Sequence, residues 1–256
     1  MKITIVQPDI AWEDKHANME NLEKLLDFPP GVTDLVILPE MFTTGFSMQS
    51  HELAEESDSL TYGWLLKMAE LKKAAFCGSY IMKEKELYYN RFVLCTPEGE
   101  RISYDKSHLF SITGEDKHFT PGHQRIIINY AGFRINPIIC YDLRFPVWIR
   151  NRNDYDLLIC VANWPESRRE VWNTLLKARA IENQCYVAGV NRIGSDQPGN
   201  NYSGDSVILD AKGRTMAEMG KYREGYVTAD ISLQNLEKFR NAFPVHRDAD
   251  DFKIIS

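Results

Sequence analysis

The chain has 256 residues, 44% of them hydrophobic and 26% charged, and a formal net charge of −6. That balance suits a globular α/β protein with a large core, and the scattered Lys and Arg argue against nucleic acid or an anionic membrane as a partner. The first apolar run, "ITIV", is far too short for a signal or transmembrane segment, so a cytoplasmic location is expected.

In chain order, short apolar runs rich in β-branched residues occupy 2–7, 34–39, 74–82 and 88–96. Further runs follow at 125–130, 133–140, 156–163, 185–191, 205–210 and 225–231. Several are continuously apolar rather than alternating, as strands covered on both faces should be. Helix-period patterns lie at 14–27, 59–73 and 166–184; in the last, Val171, Leu175 and Ala178 share a face and Pro165-Glu166 marks the start. The turns "TPEGE" (96–100) and "DAKGR" (210–214) read as hairpins, so part of the pairing is antiparallel. No linker interrupts the pattern, and a single domain over 1–256 is expected. Helices and strands alternate in both halves, which suggests two mixed sheets face to face with helices outside.

Five cysteines with no C-x-x-C spacing exclude a disulfide framework or zinc knuckle as the first reading. Cys77, Cys95, Cys160 and Cys185 sit in apolar runs and read as small buried hydrophobes. Cys140 differs, because "RINPIIC" runs straight into "YDLRFP". No His spacing supports a metal site, and no glycine-rich loop supports a nucleotide.

Two other runs end in the same way. "DLVILPE" delivers Glu40 and "ERISYDK" delivers Lys106, and in open α/β sheets the ligand crevice lies beyond the carboxyl ends of strands. An acid, a cation and a thiol meeting there suit acyl transfer. The thiol needs a base to ionise, and a carboxylate can take its proton and later protonate a departing amine. A lysine stabilises the oxyanion beside a backbone N–H just after the nucleophile. Taken singly, each residue has an ordinary explanation: a surface acid, a solvated lysine, a core thiol. A Cys-His arrangement is the competing chemistry, with His108 its best candidate and His118, His123 and His246 in loops.

"LPEMFTTGF" (38–46), "YDKSHLF" (104–110) and "CYDLRFP" (140–146), in that order, resemble the nitrilase superfamily of carbon–nitrogen hydrolases. The resemblance spans nearly the whole chain. It implies a four-layer αββα sandwich and no cofactor, with Glu40 as general base, Lys106 as oxyanion stabiliser and Cys140 as nucleophile. A second acid that orients the triad is implied at Glu115, with Asp116 adjacent. Within the superfamily, "VANWPESRREVWNTLLKARAIENQCYVAGVNRIG" (161–194) is similar to the YafV-type branch of omega-amidases. That branch implies hydrolysis of mono-amides of short dicarboxylic acids, such as 2-oxoglutaramate or 2-oxosuccinamate. Nitrilases, N-carbamoyl amidases and formamidase-like members share the triad, and a catalytically silent scaffold of the same fold is a further alternative.

The omega-amidase reading needs a cation for the far carboxylate. Arg144, four residues past the thiol, and Arg168 are the candidates, with Phe42, Tyr141 and Trp164 as walls. The resemblance also implies a homodimer joined through the helix after Cys140 and the 166–184 helix. An exposed apolar patch at Trp148 and Ile149 would agree with that, and burial within the chain would explain those residues equally well.

Overall fold

The structure, a computed structural model, describes residues 1–254. Strands β1 (Lys2–Gln7), β2 (Leu35–Ile37) and β3 (Ala75–Glu84) run parallel, and β4 (Leu87–Cys95) and β5 (Arg101–Asp105) extend that sheet antiparallel. A second sheet repeats the plan. β7 (Phe133–Ile139), β8 (Leu157–Val161) and β9 (Tyr186–Val190) are parallel at its centre. β6 (Ile128–Tyr130) flanks β7 antiparallel, while β12 (Val207–Leu209) and β13 (Thr215–Glu218) extend the sheet antiparallel beyond β9. A hairpin of β10 (Ile193–Ser195) and β11 (Asn201–Ser203) stands outside both sheets. β14 (Gly225–Asp230) crosses back to pair with β1.

Residue parity explains the continuously apolar strands. Ile3, Ile5, Leu35 and Ile37 of the first sheet share one core with Ile135, Ile139, Leu157 and Ile159 of the second. The intervening Val6, Val36 and Leu38 pack instead with Leu22, Trp64 and Met68 from α1 (Lys15–Leu25) and α3 (Leu60–Lys72). On the far side, Ile138, Leu158 and Cys160 meet Trp172 and Leu176 of α5 (Arg169–Asn183). The result is helix, sheet, sheet, helix, with strands buried on both faces. Asp14 and Ser59 accept backbone N–H bonds at the starts of α1 and α3, satisfying donors the helix itself leaves free.

The sequence expectations differ from the structure in several places. α5 begins at Arg169 after a 3₁₀ turn, and it buries Trp172, Leu176, Arg179 and Ala180. Val171, Leu175 and Ala178 lie beside that stripe, only partly buried. Three further α-helices lie among the described residues, α2 (Ser50–Leu53), α4 (Pro146–Ile149) and α6 (Leu233–Ala242), of which α2 and α6 carried no expectation. Ile149 is fully buried against Leu143 and Tyr155, so it belongs to the chain's own core rather than to an exposed patch.

Candidate active site

The strand ends converge. β5 pairs antiparallel with β4, which pairs antiparallel with β3, so β5 points the same way as β2 and β3. Glu40 follows β2, Lys106 follows β5 and Cys140 follows β7, all at carboxyl ends. Lys106 is held from both sides: its N–H bonds Asn90 O, and its carbonyl accepts the Gly122 N–H at 2.8 Å. Gly122 approaches so closely that a Cβ there would stand 2.3 Å from Asp105 O. That glycine folds the 107–122 loop back and brings Glu115 beside the lysine.

Lys106 Nζ donates to Glu40 Oε1 at 2.9 Å and to Glu115 Oε1 and Oε2 at 2.9 and 3.0 Å. Glu115 also accepts the Phe110 N–H. Glu40 Oε1 accepts a second bond from Asn90 Nδ2, and its Oε2 accepts the Asn163 N–H, both at 2.8 Å. Asn163 Nδ2 bonds Glu40 O at 2.6 Å, while Asn90 is itself fixed by Ser79 Oγ. Glu40, Lys106 and Glu115 are all shut off from solvent.

Burial alone would lower the Lys106 pKa, but Glu115 and Glu40 outweigh it and hold the ammonium above its ordinary value. Burial raises Glu115, opposed by the Lys106 charge and reinforced by Glu40. Two acids therefore surround one cation in a dry site.

Cys140 is partly exposed, and its φ of +43° lies in the left-handed region at the junction between β7 and a 3₁₀ turn. A non-glycine residue held there stores about 1–3 kcal/mol of strain and tends to mark function. Its Sγ contacts Asn163 O at 4.0 Å. Burial pushes the thiol pKa well up and the Glu40 charge pushes it further, against the pull of Lys106. The resting group is a thiol that needs a base. His108 makes no hydrogen bond to the thiol among the described residues: its ring Nδ1 lies 2.8 Å from Asp142 Oδ1 and its plane stacks on Phe145.

The thiol opens into a cleft lined by Tyr141, Arg144, Trp164 and Arg168 among others. The Arg144 guanidinium lies 5.1 Å from the Trp164 ring centre, and that of Arg168 lies 5.2 Å from Phe110. Neither joins an ion pair among the described residues, whereas neighbouring Arg169 is paired with Asp205. Phe42 is not a wall. It is fully buried against Trp64 in the first sheet's outer core, and Phe46 lines the cleft instead. Asp116, the neighbour of Glu115, is exposed.

The carbon-nitrogen hydrolase family profile matches residues 2–241. The chain belongs to the carbon–nitrogen hydrolase family. Among curated members, "Omega-amidase YafV" of Yersinia enterocolitica is 43% identical over 100% of this chain and 99% of its own. "2-oxoglutaramate amidase" of Bacillus subtilis is 36% identical over 96% of each. A CN-hydrolase superfamily protein of Xanthomonas campestris has the same fold at a TM-score of 0.96, with 41% identity over 99% of this chain and 98% of that one.

Several residues of this carbon–nitrogen hydrolase site were not foreseen. Asn163 ends "LLICVAN" just as Cys140 ends its own run, so its strand-end position was the available signal. Asn90 is fully buried in β4, where Arg91 follows it and the remaining residues are apolar or aromatic. Asn200 and Tyr202 reach the cleft from the β10–β11 hairpin, where nothing in the local pattern points to a site.

Proposed function

We propose that the chain is an omega-amidase, converting 2-oxoglutaramate, 2-oxosuccinamate or a similar mono-amide to the diacid and ammonia. The observation that carries this reading is the pair of arginines, Arg144 and Arg168, that have no carboxylate partner among the described residues and line the cleft of Cys140. A desolvated carboxylate needs such a cation, and a planar guanidinium grips it with two parallel bonds. Similarity over nearly the whole chain, at 43% and 36% identity, to YafV omega-amidase and 2-oxoglutaramate amidase supports the same substrate class.

In this reading Glu40 takes the Sγ proton as sulfur attacks the amide carbon, and the C–S bond forms while the carbonyl π electrons move to oxygen. Lys106 Nζ and the Tyr141 N–H hold that oxyanion. The tetrahedral species collapses, the C–N bond breaks, and Glu40 returns its proton to the nitrogen so that ammonia leaves a thioester on Cys140. Water attacks the thioester with Glu40 again as base, and the acid departs with the thiol restored. Glu115 keeps the Lys106 ammonium aimed, since both its oxygens bond that group. The same reading takes residues 1–256 as one cytoplasmic domain that works as a homodimer. Exposed Val147 on α4 and Ile181 on α5 support those helices as the subunit contact.

Ammonia release by the purified protein tests the proposal. 2-Oxoglutaramate should exceed butyramide in kcat/KM by at least tenfold, about 1.4 kcal/mol. Equal rates on charged and neutral amides would overturn the omega-amidase assignment.

A further inference from the structure

We infer that Asp142 is a positioning residue that ties the nucleophile turn to the lysine loop. The inference takes Cys140 and Lys106 as the catalytic pair proposed above. Asp142 is completely buried, two residues past Cys140. Its Oδ2 accepts the Ile139 N–H at 3.0 Å and the Tyr104 hydroxyl at 2.8 Å. Its Oδ1 accepts the His108 N–H at 2.9 Å and faces the His108 ring Nδ1 at 2.8 Å.

Those donors come from either side of the two reacting groups. Ile139 precedes Cys140, while Tyr104 and His108 flank Lys106 by two residues on each side. One carboxylate therefore fixes the spacing between the strand end that carries the thiol and the strand end that carries the ammonium. It does so where the backbone is strained, since Cys140 sits at φ +43° only if something holds it there. The bond to Ile139 N–H closes the turn directly beneath that residue. The supporting groups are themselves fixed: the His108 ring stacks on Phe145 with centres 3.8 Å apart, and Trp148 Nε1 donates to the Tyr104 hydroxyl at 3.2 Å.

The chemical consequence is specific. The Tyr141 N–H lies inside the turn that Asp142 closes, between Cys140 and Asp142 themselves. Loosening the turn moves one oxyanion donor relative to the other, Lys106 Nζ. Transition-state stabilisation depends on both donors meeting one oxygen, whereas the far carboxylate is held by charge attraction to Arg144 and to Arg168, which stands outside the turn, and that attraction tolerates a small shift. The loss should therefore fall on kcat and spare KM.

Asp142→Asn keeps the shape but carries one oxygen and one NH₂ group. Whichever way the amide turns, an N–H donor replaces an acceptor on one side, so one backbone N–H at Ile139 or His108 loses its partner. With 2-oxoglutaramate, kcat should fall at least thirtyfold while KM stays within about threefold. Alkylation of Cys140 by iodoacetamide, which needs the thiol but no oxyanion donors, should change less than threefold. Tyr104→Phe removes one of the bonds without placing an opposing donor, and its kcat should fall by threefold or more at unchanged KM. The inference is overturned if Asp142→Asn keeps kcat within twofold, or if kcat, KM and alkylation all worsen together. Should Asp142→Asn fail to fold, Tyr104→Phe decides, and an unaltered kcat there rejects the inference. Failure of the unmodified enzyme to release ammonia from 2-oxoglutaramate would instead refute the substrate assignment.

Discussion

Lys106 Nζ lies 2.9 Å from Glu40 Oε1, and neither side chain reaches solvent. The proposed base and the proposed oxyanion donor are thus a single electrostatic unit, with Glu115 as its third member. An isolated buried charge is costly, and removing one partner leaves the others uncompensated.

Removing the cation should therefore damage both stability and rate. Lys106→Met leaves Glu40 and Glu115 facing each other in a dry site, and should destabilise by about 3–5 kcal/mol by urea unfolding. Glu40→Gln keeps shape and removes the base, so kcat should fall by roughly 10²–10⁴. Because the groups act together, the double variant should lose much less than the product of the two single losses. Strict additivity would contradict the unit.

The acid at position 115 makes a signed pH prediction. Its folded pKa is raised above the ordinary 4.5 by burial, so the folded state binds this proton more tightly than the unfolded state. Its contribution to stability is then complete below about pH 4.5 and is lost as pH rises through the folded value. Lys106 also has a raised pKa, but it stays charged throughout the acidic window. The stability of the unmodified protein relative to Glu115→Gln should therefore decline as pH rises from about 4.5 toward neutrality. A difference that grows over that range would reverse the sign.

Reactivity should be confined to one thiol. Cys77, Cys95, Cys160 and Cys185 have no exposed surface, and burial raises the pKa of each. Cys140→Ala should abolish turnover without unfolding the protein, since little buried volume is lost. Intact mass spectrometry with a slowly deacylating amide should place the adduct on residue 140 alone. Turnover in a folded Cys140→Ala protein would remove that residue from the mechanism.

Glu40 and Cys140 were legible because each ends an apolar run, and Lys106 because it ends the strand-like "ERISYDK"; strand direction then decides where they meet. The sandwich was legible for a related reason: residues such as Val36 and Ile37 are both apolar, which only a strand covered on two faces requires. The hydrogen-bonding frame was not. Asn90 and Asn163 act through partners about 50 and 123 positions away, and no local pattern records such distances. Phe42 and Phe46 illustrate the same limit. Both follow Glu40 in one aromatic loop, and the left-handed turn at Met41, φ +42°, helps decide which of them enters the core. The β10–β11 hairpin is short and polar, so periodicity could not find it, although it supplies Tyr202 to the cleft.

Substrate selection tests the two arginines separately. Arg144 stands on the nucleophile turn and lies over Trp164, while Arg168 precedes α5 and lies over Phe110. A guanidinium stacked on a ring keeps its edge free for a carboxylate, so both are presented in usable form. Their chain positions differ in consequence, because Arg144 is only four residues past the thiol. Arg144→Met keeps the aliphatic stem against Trp164 and removes the charge. It should erase most of the tenfold preference for 2-oxoglutaramate over butyramide, through KM for the charged amide, while turnover of the neutral amide stays within about threefold. Arg168→Met should cost less on the same substrate if Arg144 makes the bidentate contact. A charged-to-neutral ratio that survives Arg144→Met but collapses in Arg168→Met would move the carboxylate site to Arg168, and a ratio indifferent to both would show that neither arginine selects the substrate.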